Sequence, residues 1–255
     1  MINVVKIGGN VIDDPEALQA FLKDFAAIAG DKILVHGGGK EATRMSESMG
    51  IKANMIEGRR VTDRQTLDIV TMVYAGLINK RIVSALQKLG CDAVGLTGAD
   101  GNLIQATRRS PHPIDYGFVG DIDRINHNFL EALFNNCNVP VVCAICHDGN
   151  GTLLNCNADS VASAVACGAS VIAPTRLTFC FEKPGVMTDV NDESSVIPLV
   201  TAESFIELKE NGIIADGMIP KIHNALVSAS QGVDEVRICR ASDLLSGSGT
   251  FIRTE

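Results

Sequence analysis

Val4-Val5-Lys6-Ile7-Gly8-Gly9 and, further on, Ile33-Leu34-Val35-His36-Gly37-Gly38-Gly39-Lys40 decide the fold. Val4 to Ile7 is a β-branched run of strand character that ends in a glycine pair. Asp13, Asp14 and Pro15 then open a helix with Leu18, Phe21, Leu22, Phe25 and Ile28 on one face, and Gly30 closes it. Lys32 to Val35 is a second short apolar strand, again ending in glycines. Strand, helix, strand in this order implies a parallel sheet. Glycines at both strand tips are expected where backbone amides face a ligand beyond the sheet. Three glycines in a row suit a tight turn or an anion-binding nest of N–H groups. Gly38-Gly39-Lys40 is not a P-loop, because Glu41 replaces the hydroxyl residue and Leu34 stands where the first glycine belongs. No dinucleotide-binding fingerprint accompanies it.

Working outward, Thr62 or Asp63 caps a long helix carrying Leu67, Val70, Val73, Leu77, Ile78, Ile82 and Leu86 at helical spacing, and Gly90 ends it. Ala93 to Leu96 is a strand, 107–116 an irregular loop around Pro111, His112 and Pro113, and Asn126 the cap of a helix through Phe134. Pro140 to Cys146 reads as a buried strand, with a turn at His147 to Gly151 and a returning segment, Thr152 to Asn155. A helix follows from Asp159, and Gly168 starts a second strand-rich half with strands at Ser170 to Ala173 and Leu177 to Phe181. Glu182-Lys183-Pro184-Gly185-Val186 is a turn, Thr201 caps a helix stopped by Gly212, and Lys221 lies in the first turn of the next helix. Glu235 to Cys239 and Gly247 to Ile252 close the chain as strands. No repeat or linker interrupts this order, so one α/β unit with two lobes meeting near residue 155 is expected.

Composition narrows the function classes. At 255 residues with 46% apolar content the chain can bury one large α/β core, and its net charge of -8 argues against gripping a nucleic-acid backbone. No apolar run is expected to approach membrane-spanning length, and the start runs directly into a strand, so no signal peptide is expected. The 8 cysteines lie mostly in apolar runs, as suits buried thiols in a reducing cytoplasm. Cys143-Ala144-Ile145-Cys146-His147 spells a haem-attachment or zinc-like pattern. If it lies on one strand, residues three apart face opposite ways and cannot chelate one ion, so no metal site is expected.

Three polar stretches look chemical. In Leu154-Asn155-Cys156-Asn157-Ala158-Asp159, alternation places Asn155 and Asn157 on one side, and Asp159 sits at a helix start where its ionised form is favoured. An Asx turn with an N-cap would account for the same residues. Lys6-Ile7-Gly8-Gly9 and Asp216-Gly217-Met218-Ile219-Pro220-Lys221 each carry a lysine beside glycine, and the expectation is that Asp159 lies between Lys6 and Lys221 at a phosphoryl group. In Gly58-Arg59-Arg60-Val61-Thr62, the arginines are either solvated charges or a fork for a carboxylate.

Together these stretches resemble the amino-acid kinase family, and within it the branch that phosphorylates acylated glutamate. The likeness runs from Val4 nearly to Arg253 and includes His36-Gly37-Gly38-Gly39, Arg60-Val61-Thr62 and the lysine and Asp159 motifs in the family's order. It implies a three-layer αβα sandwich with a mainly parallel central sheet. Residues of about 1–155 would bind the acylglutamate and dimerise, and about 156–255 would bind nucleotide. It also implies ATP-dependent phosphorylation of the γ-carboxylate of an N-acyl-L-glutamate, foremost N-acetyl-L-glutamate, in arginine biosynthesis. Lys6 and Lys221 would stabilise the transferred group and Asp159 would orient them. Gly38 and Gly39 would hold the γ-carboxylate, and Arg60 and Asn155 the α-carboxylate and acylamino end. Gly8, Gly9, Glu182, Gly185, Asp216, Gly217 and Met218 would contact ATP, whose phosphates carry Mg2+. Relatives usually have a Ser-Asp pair where Phe181-Glu182 stands here, so the nucleotide contacts depart from the family pattern. A carboxylate acceptor is already ionised at neutral pH, so no general base is needed.

Competing expectations are another phosphotransferase of this fold, such as a carbamate, aspartate or uridylate kinase, and a non-catalytic amino-acid sensor. In the resembled family an extra N-terminal helix joins dimers into arginine-inhibited hexamers. The first strand begins here at Ile2 or Asn3, so a cytoplasmic homodimer with weak arginine feedback is expected, its interface including the helix from Asp63 to Leu89.

Overall fold

The structure, a computed structural model, describes residues 1–214 and 218–255. The chain opens with β1 (Ile2–Ile7), a four-residue helix α1 (Gly9–Ile12), α2 (Pro15–Ala27), β2 (Lys32–His36) and α3 (Gly39–Ser48). The Asp14 carboxylate accepts from the amides of Glu16 and Ala17 and so fixes the start of α2. A two-stranded hairpin, β3 (Met55–Ile56) and β4 (Arg59–Arg60), precedes one long helix made of α4 (Arg64–Thr71), a π segment (Met72–Ile78) and α5 (Asn79–Lys88). Asp63 rather than Thr62 is its cap, accepting from Thr66 N at 2.8 Å.

Next come β5 (Ala93–Leu96), β6 (Ile104–Arg108), β7 (Gly120–Ile125), α6 (His127–Asn135), β8 (Val139–Cys143), β9 (Ile145–His147), β10 (Leu153–Asn155) and α7 (Ala158–Ser170). The last part holds β11 (Thr175–Phe181), β12 (Leu199–Val200), α8 (Ala202–Glu210), α9 (Ile219–Ser230), β13 (Glu235–Arg240) and β14 (Thr250–Ile252).

One eight-stranded sheet runs β12-β14-β13-β11-β1-β2-β8-β5, and only β13–β14 is antiparallel within it. β1 is central: it pairs with β2 from the first half of the chain and with β11 from the second. Its tip therefore reaches both halves at Lys6 and Ile7. Parallel strands buried on both faces read as continuous apolar runs, as Lys32–His36 does, every residue of which is buried. Helix α7 packs on β1, β2 and β11, while α5 packs on β5, β8 and α2, giving the helix–sheet–helix layers expected.

Four departures from the sequence reading have tertiary causes. Pro140 to Cys146 is two strands rather than one: β8 stays in the main sheet, and at Ala144 the chain crosses into a second sheet, β10-β9-β6-β7. Cys143 and Cys146 thus belong to different sheets, and burial pushes the Cys143 thiol up to about 12. Thr107 and Arg108 are the end of β6, which forms a hairpin with β7 that the irregular 107–116 loop had concealed. Gly168 does not end α7: a Cβ there would lie 2.5 Å from Ile125 Cγ2, so the glycine lets the helix lie against β7. The helix continues to Ser170, and no strand forms at 170–173. Finally, Arg64–Lys88 is by length and apolarity alone long enough to cross a membrane, contrary to expectation. Its Leu67, Val70, Ile82 and Leu86 side chains are instead core.

Candidate active site

A cavity of about 230 Å³ opens at the tips of β1, β2 and β10. Lys6, Gly9, Gly37–Gly39, Arg60, Tyr74, Asn155 and Asp159 line it, so most of the sequence-predicted first-half residues converge. Gly38 sits at φ +154°, and a Cβ there would lie 2.2 Å from Ile78 Cδ1. The turn after β2 therefore needs glycine for both backbone and space.

Arg60 is 7% exposed and is held by two bonds from Nη2, to Gly39 O at 2.8 Å and Thr43 Oγ1 at 2.7 Å. Its Nη1 is buried without a hydrogen-bond partner among the described residues. A buried guanidinium with an unused arm is a costly arrangement unless an acceptor completes it. Asn155 Nδ2 donates to Thr62 Oγ1 at 3.0 Å, and Thr62 Oγ1 donates to Arg60 O at 2.9 Å. Asn155 and Arg60 are thereby tied through one hydroxyl. Asn157 takes the bland role: it is the N-cap of α7, accepting from Asp159 N and Ser160 N.

Asp159 lies in the first turn of α7, its carboxylate 2.7 Å from Lys6 Nζ. Burial pushes the carboxyl up, but the ammonium groups of Lys6 and Lys221 and the hydrogen bond from Lys6 outweigh it and hold the group below the usual range. Asp159 is therefore a carboxylate paired with Lys6 and influenced by Lys221, although in sequence the three stand far apart.

Lys221 lines a second cavity of about 240 Å³ with Phe181, Glu182, Gly185 and Met218. Gly185 has a packing reason as well: a Cβ would lie 2.6 Å from Thr250 Oγ1. Asp216 and Gly217 fall outside the described residues. Gly8 does not offer its amide as expected, since that N–H completes the sheet by donating to Cys180 O at 3.0 Å. Gly9, the first residue of α1, lines the first cavity instead.

Sequence reading passed over Tyr74, Thr43 and Thr62. Thr62 was visible as a motif position and a cap alternative but given no role at the site, and Tyr74, on the apolar stripe with Leu67, Val70 and Ile78, reads as core. His36, buried beneath the glycine turn, is structural: Nδ1–H donates to Gly37 O at 2.9 Å, and Nε2 accepts from Asn79 Nδ2 at 3.0 Å. Burial, against the bond to Gly37 and with help from Lys80, lowers its pKa to about 4.

A mainly parallel αβα sheet with a lysine at the tip of β1, a carboxylate at the start of α7 and a second lysine in the first turn of α9 suits phosphoryl transfer. The chain belongs to the amino acid kinase family, whose model matches residues 1–240. It is 50% identical over 246 residues to an acetylglutamate kinase of Cytophaga hutchinsonii, covering 95% of this chain and 92% of that one. It is 47% identical over 252 residues to an acetylglutamate kinase of Phocaeicola vulgatus, covering 99% of this chain and 98% of that one. Among solved structures, a Streptococcus mutans protein matches with a TM-score of 0.84 at 27% identity, over 100% of this chain and 99% of the other.

Proposed function

We propose that this chain transfers the γ-phosphoryl group of ATP to the γ-carboxylate of N-acetyl-L-glutamate, a step of arginine biosynthesis. One observation carries the assignment of roles: Asp159 sits under the influence of two lysines, of which Lys6 lines the first cavity and Lys221 the second. Phosphoryl transfer asks for positioning and neutralisation of charge rather than covalent help. Lys6 and Lys221 stabilise the group in flight from opposite sides, and Asp159 orients both.

In this reading the acceptor lies in the first cavity. The turn at Gly38 and Gly39 holds the γ-carboxylate, Arg60 Nη1 takes the α-carboxylate, and Asn155 meets the acylamino group. The nucleotide lies in the second cavity against Glu182, Gly185 and Met218, with Gly9 facing its phosphates. The first cavity is lined by residues within 6–159 and the second by residues within 181–221, which supports an acceptor-binding part of about 1–155 and a nucleotide-binding part of about 156–255. The protein charges at the transfer point are two cations around one carboxylate already paired with Lys6, so Mg2+ suits the nucleotide's own phosphate oxygens. There it offsets part of their negative charge.

The protein works as a cytoplasmic homodimer. Its eight free thiols suit a reducing compartment. Met72 is 55% exposed on the outward side of the long helix, where a second copy would cover it. A coupled ADP-release assay with N-acetylglutamate, glutamate, aspartate, carbamate and UMP tests the reaction. Turnover should be confined to the acylated glutamate; turnover with another acceptor and none with N-acetylglutamate would overturn the assignment.

A further inference from the structure

The long helix departs from α geometry at one place, the π segment Met72–Ile78; of its buried residues Tyr74 lines the first cavity, and Tyr74 and Ile78 both lie against the turn at Gly38. A Cβ on Gly38 would lie 3.0 Å from Tyr74 Cδ1 and 2.2 Å from Ile78 Cδ1, so both side chains press on the glycine turn. Asn79 follows and binds His36 Nε2 on β2. Residues five apart on an α-helix point about 140° from one another, so Tyr74 and Asn79 could not both face β2 and its turn. In π winding the bond joins residues five apart, which stacks them on one face. π segments in α-helices are rare and gather at functional sites.

What this winding delivers is a phenol. Tyr74 is buried, lines the cavity, and its hydroxyl faces the Arg60 guanidinium. Burial pushes the phenol up, which keeps it a neutral donor at working pH. Arg60 Nη2 is spent on Gly39 and Thr43, and Nη1 is buried and unpartnered. One cationic and one neutral donor thus stand on the same wall, short of an acceptor with two oxygens.

We propose that Tyr74 is a carboxylate-binding residue of this site: its hydroxyl, set in place by the π segment, donates to the same substrate carboxylate that Arg60 Nη1 engages. The inference rests on the acylglutamate reading above, which brings a carboxylate to Arg60.

Two variants separate the hydroxyl from the ring. Tyr74→Phe keeps the ring against Gly38 and removes one donor; Tyr74→Leu removes both. Loss of one hydrogen bond to a charged group should raise KM for N-acetylglutamate about tenfold in the Phe variant. KM for ATP should stay put, and kcat should fall by less than KM rises. Calorimetric Kd for N-acetylglutamate should weaken in parallel. With only 2 tyrosines in the chain, Tyr116→Phe leaves Tyr74 as the sole phenol, whose ultraviolet absorption should shift when N-acetylglutamate binds. Equal Kd for wild type and Tyr74→Phe, or an unmoved spectrum on binding, overturns the proposal and leaves the ring as packing. If the wild type binds N-acetylglutamate without phosphorylating it, the assigned reaction fails, while the Kd ratio still decides the role of the hydroxyl. If the wild type does not bind it at all, both readings fall.

Discussion

Asp159 shows why the residue types at this site are not interchangeable. Its carboxylate is buried, which alone would favour the neutral acid, and two ammonium groups reverse that. Removing either lysine leaves a buried charge short of a partner, and removing the carboxylate leaves two like charges facing each other. Lys6→Ala, Lys221→Ala and Asp159→Ala are each expected to lower kcat by about 10²–10³ with the fold retained, read by steady-state kinetics beside circular dichroism. Because the folded pKa of Asp159 is depressed, its contribution is complete above the unfolded value and disappears only as pH falls through the folded one. It therefore imposes no acid limb on activity in the neutral range. His36 behaves oppositely. Folded, it stays neutral down to about pH 4, whereas unfolded it takes a proton near the ordinary histidine value of 6.5. The unfolded chain then binds more protons between these values, so stability falls as pH drops from 6.5 to 4, by roughly 3 kcal/mol in the limit. His36→Gln should flatten the difference between urea unfolding curves taken at pH 7 and pH 5; an unchanged difference would show that His36 is not the group responsible.

At the scale of elements, α7 carries Asp159 to the site, and its distance from β7 is set by Gly168. A Cβ there would stand 2.5 Å from Ile125 Cγ2 and 2.8 Å from Ile125 Cβ, atoms of a stiff β-branched side chain. Gly168→Ala is expected to cost about 1–3 kcal/mol, read as a lower melting temperature, and to reduce kcat because Asp159 moves with its helix. This glycine also marks how far the sequence could be read. Local signals were legible: Asp14, Asp63, Asn126 and Thr201 all cap the helices they precede, and Gly212 and Gly90 follow helix ends at positive φ. Signals depending on distant partners were not. Gly168 looked like a stop because Ile125 cannot be seen from its neighbours in sequence. Ala144 gave no sign that the chain leaves one sheet for another. Gly8 looked like a phosphate contact, although its amide is taken by Cys180 of a strand far along the chain. Tyr74 was hidden because, in line with Leu67, Val70 and Ile78, it reads as one more core residue. Within the site, the motifs at Lys6, Gly38, Arg60, Asn155 and Asp159 were legible as types and spacings, but the bond network around Arg60 was not.

The whole molecule is organised by β1, the strand through which both halves of the chain share one sheet. Lys6 lies near its tip in the cavity we assign to the acceptor, and the cavity we assign to the nucleotide begins at Phe181, the end of the neighbouring strand β11. The outer face of the long helix, with Met72 exposed and Leu77 half-buried, is the surface we expect a second copy to cover. Light scattering after size exclusion should give about twice the 27.0 kDa chain mass, and Met72→Glu should shift it toward the monomer. A monomeric wild type would contradict the dimer. If a γ-carboxylate is brought between Lys6 and Lys221 to accept phosphate, hydroxylamine should trap the product. An acyl phosphate formed from N-acetylglutamate and ATP is captured as a hydroxamate, and mass-spectrometric fragmentation reports which carbon carries it. The wild type should give stoichiometric γ-hydroxamate and Lys6→Ala almost none. Trapping at the α-carbon, or ADP release without any hydroxamate, would contradict transfer to the γ-carboxylate.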